Sequence, residues 1–550
     1  MDRIDFQTDP ARYRHWRLAF KPPVATLTMD VDPSAGLFEG TELKLNSYDL
    51  RVDIELADAV QRLRFEHPEI RVVILRSGKQ NVFCAGANIR MLGQASHGHK
   101  VNFCKFTNET RLAIEDSSEH SGQRYLAAVS AAAAGGGYEL AAACDWIMLI
   151  DDRRSAVSLP EMPLLAVLPA TGGLTRLTDK RKVRRDRADV FCSTEEGMRG
   201  RRAVEWRLVD ETVPPSAWEA RVRERAATLA AISDRPMDAT GIRLTPLERR
   251  IGEDAVTYPN LRVELDRVRS RAVVTVLGPA RLPRDCDGIH GAGASFWPLA
   301  IARELDDAIL HLRLNEPELG LLVLRSEGDP QAVLAADALL EAHQDDWLVR
   351  EIRLLLKRVL KRLDMTSRSM IALIEPGSCF AGSLAELAFA ADRSVMFAGS
   401  RAGENRAVAT LALSALNFGA YPMGNGLSRL ATRFLGEPDS LKGAWARVGE
   451  VLAADDADAL GLVTFAYDET DWDDEVRLML EERASFSPDA LTAMEANLRF
   501  AGPETMETRI FGRLSAWQNW IFQRPNAAGE TGALKLYGSG VRPTFRTERV

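Results

Sequence analysis

Short apolar runs that end in polar turns alternate along the chain with stretches in which apolar residues recur every three or four positions. The runs PVATLTMD (residues 23–30) and RVVILRSG (residues 71–78) have the character of strands. The segment between them, SYDLRVDIELADAVQRLRFEHPE, has helical periodicity. This alternation is typical of α/β units around a partly parallel sheet, so the pattern predicts an α/β fold.

Several segments of the first half return in the same order in the second half, about 250 residues later. The matching pairs are residues 23–30 with 271–278, 71–78 with 320–328, 123–150 with 368–397, and GLTRL (173–177) with GLSRL (426–430). The repeat predicts two related α/β domains in tandem. Polar and turn residues gather at 253–260, which indicates domains at 1–257 and 258–550, the second ending in a helical region.

Length and composition indicate a multidomain globular protein. The chain has 550 residues, more than one ordinary core holds, and is 46% hydrophobic and 27% charged. A net charge of −8 argues against a general nucleic-acid binder. The N-terminal segment has no apolar signal-like stretch, so we expect a cytoplasmic protein without membrane contact.

The cysteines and the common cofactor motifs give no positive signal. The six cysteines are scattered without CxxC or Cys/His spacing, so neither a disulfide framework nor a zinc site is predicted. The chain has no GxxxxGK[ST], HExxH or strand-linked GxGxxG, the loops that ATP, protease zinc and dinucleotides require. We therefore expect no metal and no cofactor.

Two loops of small residues follow strand-like runs and lead into helices, FCAGANIRML (83–92) and AAAAGGGYEL (131–140). Such loops allow backbone N–H groups to approach a ligand closely, and a helix start directs donors at negative charge. A glycine tract alone is equally typical of a flexible turn or of close helix packing. The two loops together favour a site that stabilises an oxyanion.

With SLPEMPLL (158–165), these loops resemble the marks of the crotonase, or enoyl-CoA hydratase/isomerase, superfamily: an AGAD-like loop, a GGGxE helix start and a later PE pair. The resemblance implies a ClpP/crotonase-type fold and acyl-CoA thioester substrates. It also implies oxyanion-hole amides at Ala87 and Gly136 and catalytic carboxylates at Glu139 and Glu161. For such a substrate we expect CoA contacts at Cys84, Ala85 and Gly86, with Lys44 or Lys535 on the CoA phosphates.

The implied chemistry is physically coherent. Reactions at the α and β carbons of a thioester build negative charge on its oxygen, which needs donors placed for the enolate. One carboxylate then deprotonates water while the other delivers a proton, provided their pKa values differ. Glu139 and Glu161 are 22 residues apart, so the fold has to bring them together.

Within the superfamily, the chain is most similar to one branch, the benzoyl-CoA-dihydrodiol lyases. The segments NFCKFTNETRLAIEDSS, RKVRRDRADVFC and GALKLYGSG carry this likeness, and it extends over nearly the whole chain. It implies that water opens an epoxidised, dearomatised benzoyl-CoA ring to give an aliphatic aldehyde acyl-CoA and formate, in aerobic benzoate degradation. It further implies a homodimer that needs no metal, flavin or nicotinamide.

Cys104 in NFCKF is a further candidate, because a thiol beside an epoxide could donate a proton, orient water or act as a nucleophile. A buried packing cysteine is the alternative interpretation. Asn108 and Glu109 are additional candidates for the ring pocket.

The sequence also departs from the superfamily pattern. Ser130 and Ala131 stand where an Asn-Gly pair is common, and Asn88 stands where an aspartate is common, although neither change removes a backbone donor. In the second half, AAD (335–337) lacks the glycine of AGAN, GSLAE retains Glu386, and the PE position falls near Ser414. We expect one active site per chain and a degenerate second domain that supports the fold, the dimer or the CoA channel.

Two other functions remain open from sequence. The glutamates and loops alone fit an ordinary enoyl-CoA hydratase or isomerase acting on aliphatic substrates. The degenerate half and the substitutions at Ser130 and Ala131 allow a noncatalytic scaffold that binds acyl-CoA.

Overall fold

The computed structural model describes residues 3–400 and 407–550, which form two compact units. The first spans Asp5–Leu244, and the second contains the described part of Thr245–Val550 together with Arg3 and Ile4. The N–H of Ile4 donates to Asn315 Oδ1 at 2.8 Å. The division thus precedes the boundary expected at 257/258. The strand Ala255–Thr257 pairs with Arg250–Ile251 on one side and Leu261–Asp266 on the other, so this polar stretch belongs to the sheet and is not a linker.

The first unit is built on a six-stranded sheet whose first two strands are antiparallel and whose remaining strands are parallel. Its strands, in spatial order, are Trp16–Lys21, Val24–Met29, Val72–Ser77, Arg124–Val129, Trp146–Ile150 and Glu211–Val213. Apolar side chains of these strands, such as Val72 and Leu126, pack against Val222 and Ala226 of the helix Trp218–Ala231. The strand runs predicted at 23–30 and 71–78 are confirmed.

A second, three-stranded sheet of the first unit consists of Val82–Cys84, Ala132–Ala134 and Val157–Ser158, all parallel. These strands end where the three candidate motifs begin, so their parallel pairing brings the motifs to one edge. The helices of this unit are Leu50–Phe65, Ile89–Gln94, His97–His120, Gly136–Ala142, Glu161–Leu165, Gly173–Thr175, Arg185–Cys192, Gly200–Glu205 and Trp218–Ala231, with a π-helical turn at Arg176–Lys180 and 3₁₀ turns at Lys44–Asn46 and Pro215–Ala217.

The second unit contains an eight-stranded sheet that is antiparallel over its first four strands and parallel from Arg271–Leu277 onward. The strands are Arg250–Ile251, Ala255–Thr257, Leu261–Asp266, Arg271–Leu277, Leu321–Glu327, Ser369–Ile374, Arg393–Phe397 and Phe465–Tyr467, and a separate pair joins Leu411–Ala412 to Val451–Leu452. The larger helices are Trp297–Asn315, Pro330–Ala342, Trp347–Asp364, Gly382–Ala390, Glu469–Ser485 and Pro488–Arg499. The shorter ones are Cys286–Ala292, Arg429–Arg433, Pro438–Trp445, Ala454–Ala459, Met506–Arg509, Ser515–Ile521, Pro525–Ala528 and Ala533–Leu536, with 3₁₀ turns at Gly293–Ser295 and Ala415–Phe418 and a π-helical turn at Ile510–Leu514.

The internal repeat has a structural counterpart. In both units an antiparallel strand pair leads into a run of parallel strands. A local detail is also repeated: Asp145 accepts from Tyr125 N at 2.6 Å and donates its own N–H to Tyr125 O, and Asp392 makes the same exchange with Met370. The strand order and this pair of hydrogen bonds between an aspartate and a strand residue therefore occur once in each unit.

Across residues 3–400 and 407–550, no helix has both the length and the apolar character that crossing a membrane requires.

Candidate active site

Glu139 lies in the first turn of the helix Gly136–Ala142 and is only 2% exposed. Its Oε1 accepts the N–H of Gly173 at 2.7 Å, and its Oε2 accepts the hydroxyl of Thr171 in a short hydrogen bond. Both carboxylate oxygens are therefore held by the 171–173 loop, which fixes where this group points.

Glu161 begins the helix Glu161–Leu165 and faces the same helix start. A Cβ placed on Gly135 would lie 2.7 Å from Glu161 Oε1, so the carboxylate packs directly against this glycine, whose φ of 52° favours glycine. Burial raises the pKa of Glu161 to about 7, and the nearby charge of Glu139 adds to the rise. Glu161 Oε2 is buried without a hydrogen-bond partner among the described residues. The fold thus brings together two carboxylates that lie in different environments.

Ala87 and Gly136 present backbone N–H groups beside this pair. Tyr48 donates its N–H to Gly86 O at 3.0 Å and accepts from Asn88 N at 2.8 Å, which leaves the intervening N–H of Ala87 unused by the described residues. Gly136 opens its helix, so its N–H has no intrahelical acceptor. A Cβ on Gly86 would lie 2.9 Å from Gly136 N, so the two loops are in close contact. The arrangement suits an oxyanion.

Asn88, which departs from the usual aspartate, still caps the helix Ile89–Gln94. Its Oδ1 accepts from Met91 N at 3.0 Å, as an aspartate would, while its Nδ2 donates to Glu42 O at 3.0 Å. The substitution therefore preserves the geometry of the loop that carries Ala87.

A buried polar cluster supports the two amides, and sequence reasoning missed it. Arg111 Nη2 donates to the hydroxyl of Tyr48 at 3.2 Å and to Gly136 O at 3.4 Å, while Arg111 Nη1 lies 3.6 Å from Asp53 Oδ1. Tyr48 also packs so closely on Gly136 that a Cβ there would lie 1.9 Å from its hydroxyl oxygen. Tyr48 therefore touches one oxyanion loop through its backbone and the other through its side chain.

Cys104 lies on the helix His97–His120, along a face that meets the loop holding Glu139. Asn108 on this helix donates to Cys104 O and to Ala170 O, both at 3.0 Å. Burial, then the charge of Glu139, raises the pKa of the Cys104 thiol to about 11. The thiol is therefore protonated at neutral pH, which favours a hydrogen-bond donor over a thiolate nucleophile. Glu109 is half-buried on the same helix.

Of the three residues expected to contact CoA, only Ala85 is exposed. Cys84 and Gly86 are buried: the Cys84 thiol donates to Asn46 O at 3.1 Å and accepts from Gly86 N at 3.3 Å, and burial raises its pKa to about 12. The Lys44 side chain is 67% exposed beside Glu42, and in the second unit Lys535 pairs with Glu530.

The corresponding glutamate of the second unit has a different environment. Glu386 accepts from Arg429 Nη1 at 2.9 Å and from Asn417 Nδ2 at 2.7 Å, and Arg429 also donates to Asp364 at 2.7 Å. Each side chain of this Asp364–Arg429–Glu386 cluster is 1% exposed. Glu386 therefore serves a buried ion cluster rather than facing an opening.

In the second unit, a side chain of the protein occupies the helix start that would carry an oxyanion hole. Asp337 Oδ2 accepts the N–H of Ser383 and the hydroxyl of Ser414, both at 2.7 Å. A Cβ on Gly382 would lie 1.9 Å from the same oxygen. A carboxylate thus takes the place where a thioester oxygen would bind.

Gly173→Ala should slow turnover at least ~10²-fold, by analogy with loss of a preorganised catalytic contact. A Cβ at Gly173 would lie 2.7 Å from Glu139 Cγ and would displace the carboxylate. The backbone of Gly173 is not in the left-handed region, so the substitution itself adds no backbone strain. Gly93→Ala is the matched control, since nothing lies within 4 Å of its added Cβ. Steady-state kinetics on both variants check this, and equal rates would contradict the assigned position of Glu139.

Comparisons with known proteins agree with this geometry. The family described as enoyl-CoA hydratase/isomerase matches residues 42–240. A protein of Aromatoleum evansii named benzoyl-CoA-dihydrodiol lyase is 55% identical over 548 residues, covering 100% of this chain and 98% of its own.

Solved structures matched by this chain include two enoyl-CoA hydratases. That of Geobacillus kaustophilus HTA426 is 33% identical, with a TM-score of 0.35, over 40% of this chain and 75% of its own. That of Bacillus anthracis is 25% identical, with a TM-score of 0.34, over 40% of this chain and 77% of its own. From the family match and the full-length relative, the chain belongs to the enoyl-CoA hydratase/isomerase, or crotonase, superfamily, in the branch of the benzoyl-CoA-dihydrodiol lyases.

Proposed function

We propose that this chain is a lyase that opens the ring of an epoxidised dihydrobenzoyl-CoA with water, giving an aliphatic aldehyde acyl-CoA and formate in benzoate degradation. The observation that carries the proposal is the 55% identity, over the full length, to a protein named benzoyl-CoA-dihydrodiol lyase. The paired glutamates beside two available amides support it, because they suit water-driven chemistry on a thioester.

In the proposed mechanism, the N–H groups of Ala87 and Gly136 donate hydrogen bonds to the thioester oxygen as negative charge develops on it. Glu139, fixed by Gly173 and Thr171, deprotonates the attacking water. Glu161 is partly protonated near neutral pH because of its raised pKa, and it delivers a proton to the oxygen of the opening epoxide as the bond between the two epoxide carbons breaks to give two aldehydes. A second water adds to the aldehyde next to the α carbon, the bond between these two carbons breaks, and that aldehyde carbon leaves as formate. The electron pair of the broken bond passes into the thioester enolate, which is protonated at carbon, so each turnover consumes two waters. Cys104 donates a hydrogen bond as a neutral thiol.

The ring of the substrate needs an apolar surface beside the carboxylates. Directly after Glu161 the chain exposes four apolar side chains by 47 to 63%, at Met162, Leu164, Val167 and Leu168. We assign the ring or the acyl group to this segment, since its burial by the substrate would remove apolar surface from water.

The second unit is a degenerate crotonase-like domain in this proposal. The repeated strand order supports this assignment, and the ion-paired Glu386 and the Asp337 closure support a noncatalytic role. We further propose a cytoplasmic homodimer whose ring-opening reaction uses water alone, without a catalytic metal or an organic cofactor, with residues 84–86 next to the CoA moiety.

Product analysis tests the proposed function. Wild-type protein incubated with epoxidised dihydrobenzoyl-CoA should release formate and an aldehyde acyl-CoA in equal amounts, both measured by mass spectrometry. A product that retains the closed ring, or no turnover, would contradict the proposal and favour hydration or a binding scaffold.

The pH dependence of turnover tests the role given to Glu161. An acid that must be protonated in the free enzyme is lost as pH rises through its pKa, so kcat/KM should fall above pH about 7. The residual activity of Glu161→Gln should lack this descending limb. A wild-type kcat/KM that rises through pH 7 would assign Glu161 the opposite role.

A further inference from the structure

Three side chains of different chemistry converge in the second unit, outside the candidate active site. Cys286 and His290 lie on the helix Cys286–Ala292, and Asp346 lies at the start of the helix Trp347–Asp364. One ligand atom from each, a sulfur, a ring nitrogen and a carboxylate oxygen, lies within 4.8 Å of the other two. All three residues are half-buried, so solvent reaches them.

The absence of a zinc site, expected from the scattered cysteines, stays a prediction, and one Cys–His pair argues against it. The segment CDGIH places Cys286 four residues before His290, and residues four apart lie on the same face of a helix. The third ligand is 56 residues beyond His290, so spacing alone could not reveal it.

The carboxylate is oriented before any ion binds. Asp346 Oδ1 caps its helix by accepting from Leu348 N at 2.9 Å and Val349 N at 3.1 Å. His290 Nε2 lies 3.0 Å from the other oxygen, Oδ2, and 3.1 Å from Oδ1. Helix-cap donors of this kind are the outer partners that hold a metal-binding carboxylate in place.

The histidine and the cysteine both point at this carboxylate. The His290 ring packs edge-on against Trp347, with centroids 5.7 Å apart, which limits its rotation. The Cys286 sulfur lies within 4.8 Å of the ligand atoms of His290 and Asp346. The three atoms therefore surround one position, and a cation bound there would displace the thiol proton and the proton shared by His290 and Asp346.

We propose that Cys286, His290 and Asp346 bind one Zn²⁺ ion, with water as the fourth ligand. A thiolate, an imidazole and a carboxylate in a partly open site suit zinc, whereas Ca²⁺ and Mg²⁺ require oxygen ligands. Binding releases the thiol proton to solvent and involves no change of oxidation state. The ion joins the starts of two helices, so its expected effect is to stabilise the second unit.

Metal binding by tag-free protein tests the proposal without reference to turnover. After chelator treatment and dialysis, wild-type protein titrated with Zn²⁺ should take up one equivalent more than Cys286→Ser or His290→Ala, with affinity reduced at least ~10-fold in each variant. Zn²⁺ should also raise the melting temperature of wild type and not of the variants. Equal zinc uptake by wild type and both variants would overturn the proposal.

Two further variants test the proposal even if substitution of a ligand residue disturbs folding. Asp346→Asn retains an oxygen that caps the helix but removes the carboxylate, so it should fold and still lose the ion. With Co²⁺ as the probe, wild type should show a thiolate-to-cobalt absorption band that Cys286→Ser lacks and the control Cys192→Ala retains. A wild-type cobalt spectrum without a thiolate band would remove Cys286 from the site and overturn the proposal.

Discussion

Glu139→Gln and Glu161→Gln should each slow formate release by about 10²–10⁴-fold, the range for removal of a general acid or base. Glutamine keeps the size of each side chain but cannot exchange a proton. Because the two groups act in the same reaction, the fold reduction in rate of the double variant should be much smaller than the product of the two single-variant reductions. Single-turnover rates with epoxidised dihydrobenzoyl-CoA measure these effects.

Binding and a surface control separate this effect from misfolding. Both variants should bind benzoyl-CoA about as tightly as wild type, because the amides of Ala87 and Gly136 are unchanged. Glu119→Gln is the matched control, since the Glu119 side chain is 73% exposed. Turnover near the wild-type rate in either glutamate variant would remove that residue from the mechanism.

Arg429→Met should lower the free energy of unfolding by about 3–5 kcal/mol, because it leaves two buried carboxylates without their cation. Burial already acts to raise the pKa values of Asp364 and Glu386, and Arg429 is the main opposing charge. A carboxyl group whose pKa is higher in the folded than in the unfolded state stabilises the fold while it is protonated. This contribution is lost as pH rises through the pKa of the folded state. The loss should therefore be greater at pH 8 than at pH 5, measured by urea denaturation.

A neutral cluster provides the control for this stability prediction. Adding Asp364→Asn and Glu386→Gln to Arg429→Met removes the unpaired charges and should restore part of the loss. Lys442→Met, which breaks an ion pair with side chains 76% and 93% exposed, should change stability by less than ~1 kcal/mol. A small effect of Arg429→Met would show that the cluster is not a structural element.

The parts of the site that come from short motifs could be predicted from the sequence. The loops around Ala87 and Gly136 have local signatures, as do Glu139 in GGGYE and Glu161 after Pro160, and the fold brings them together. The strand-like runs at 23–30 and 71–78 were also predictable, because their buried faces show directly as apolar residues.

The missed features depend on contacts between residues distant in sequence. The role of Tyr48 follows from a backbone pairing with residues 86 and 88 and from Arg111, 63 positions away. The Asp337 closure depends on Ser383 and Ser414, which no spacing connects. The two units also divide at Leu244, before the predicted boundary, because a short polar strand such as Ala255–Thr257 looks like a linker in sequence.

The central claim is that this site opens a ring rather than hydrating a linear enoyl chain. The most direct test supplies one preparation of wild-type protein with epoxidised dihydrobenzoyl-CoA and, in parallel, with crotonyl-CoA. The value of kcat/KM is measured for each substrate. We expect rapid formate release from the first and at most slow hydration of the second. Prompt hydration of crotonyl-CoA without formate from the ring substrate would contradict the account.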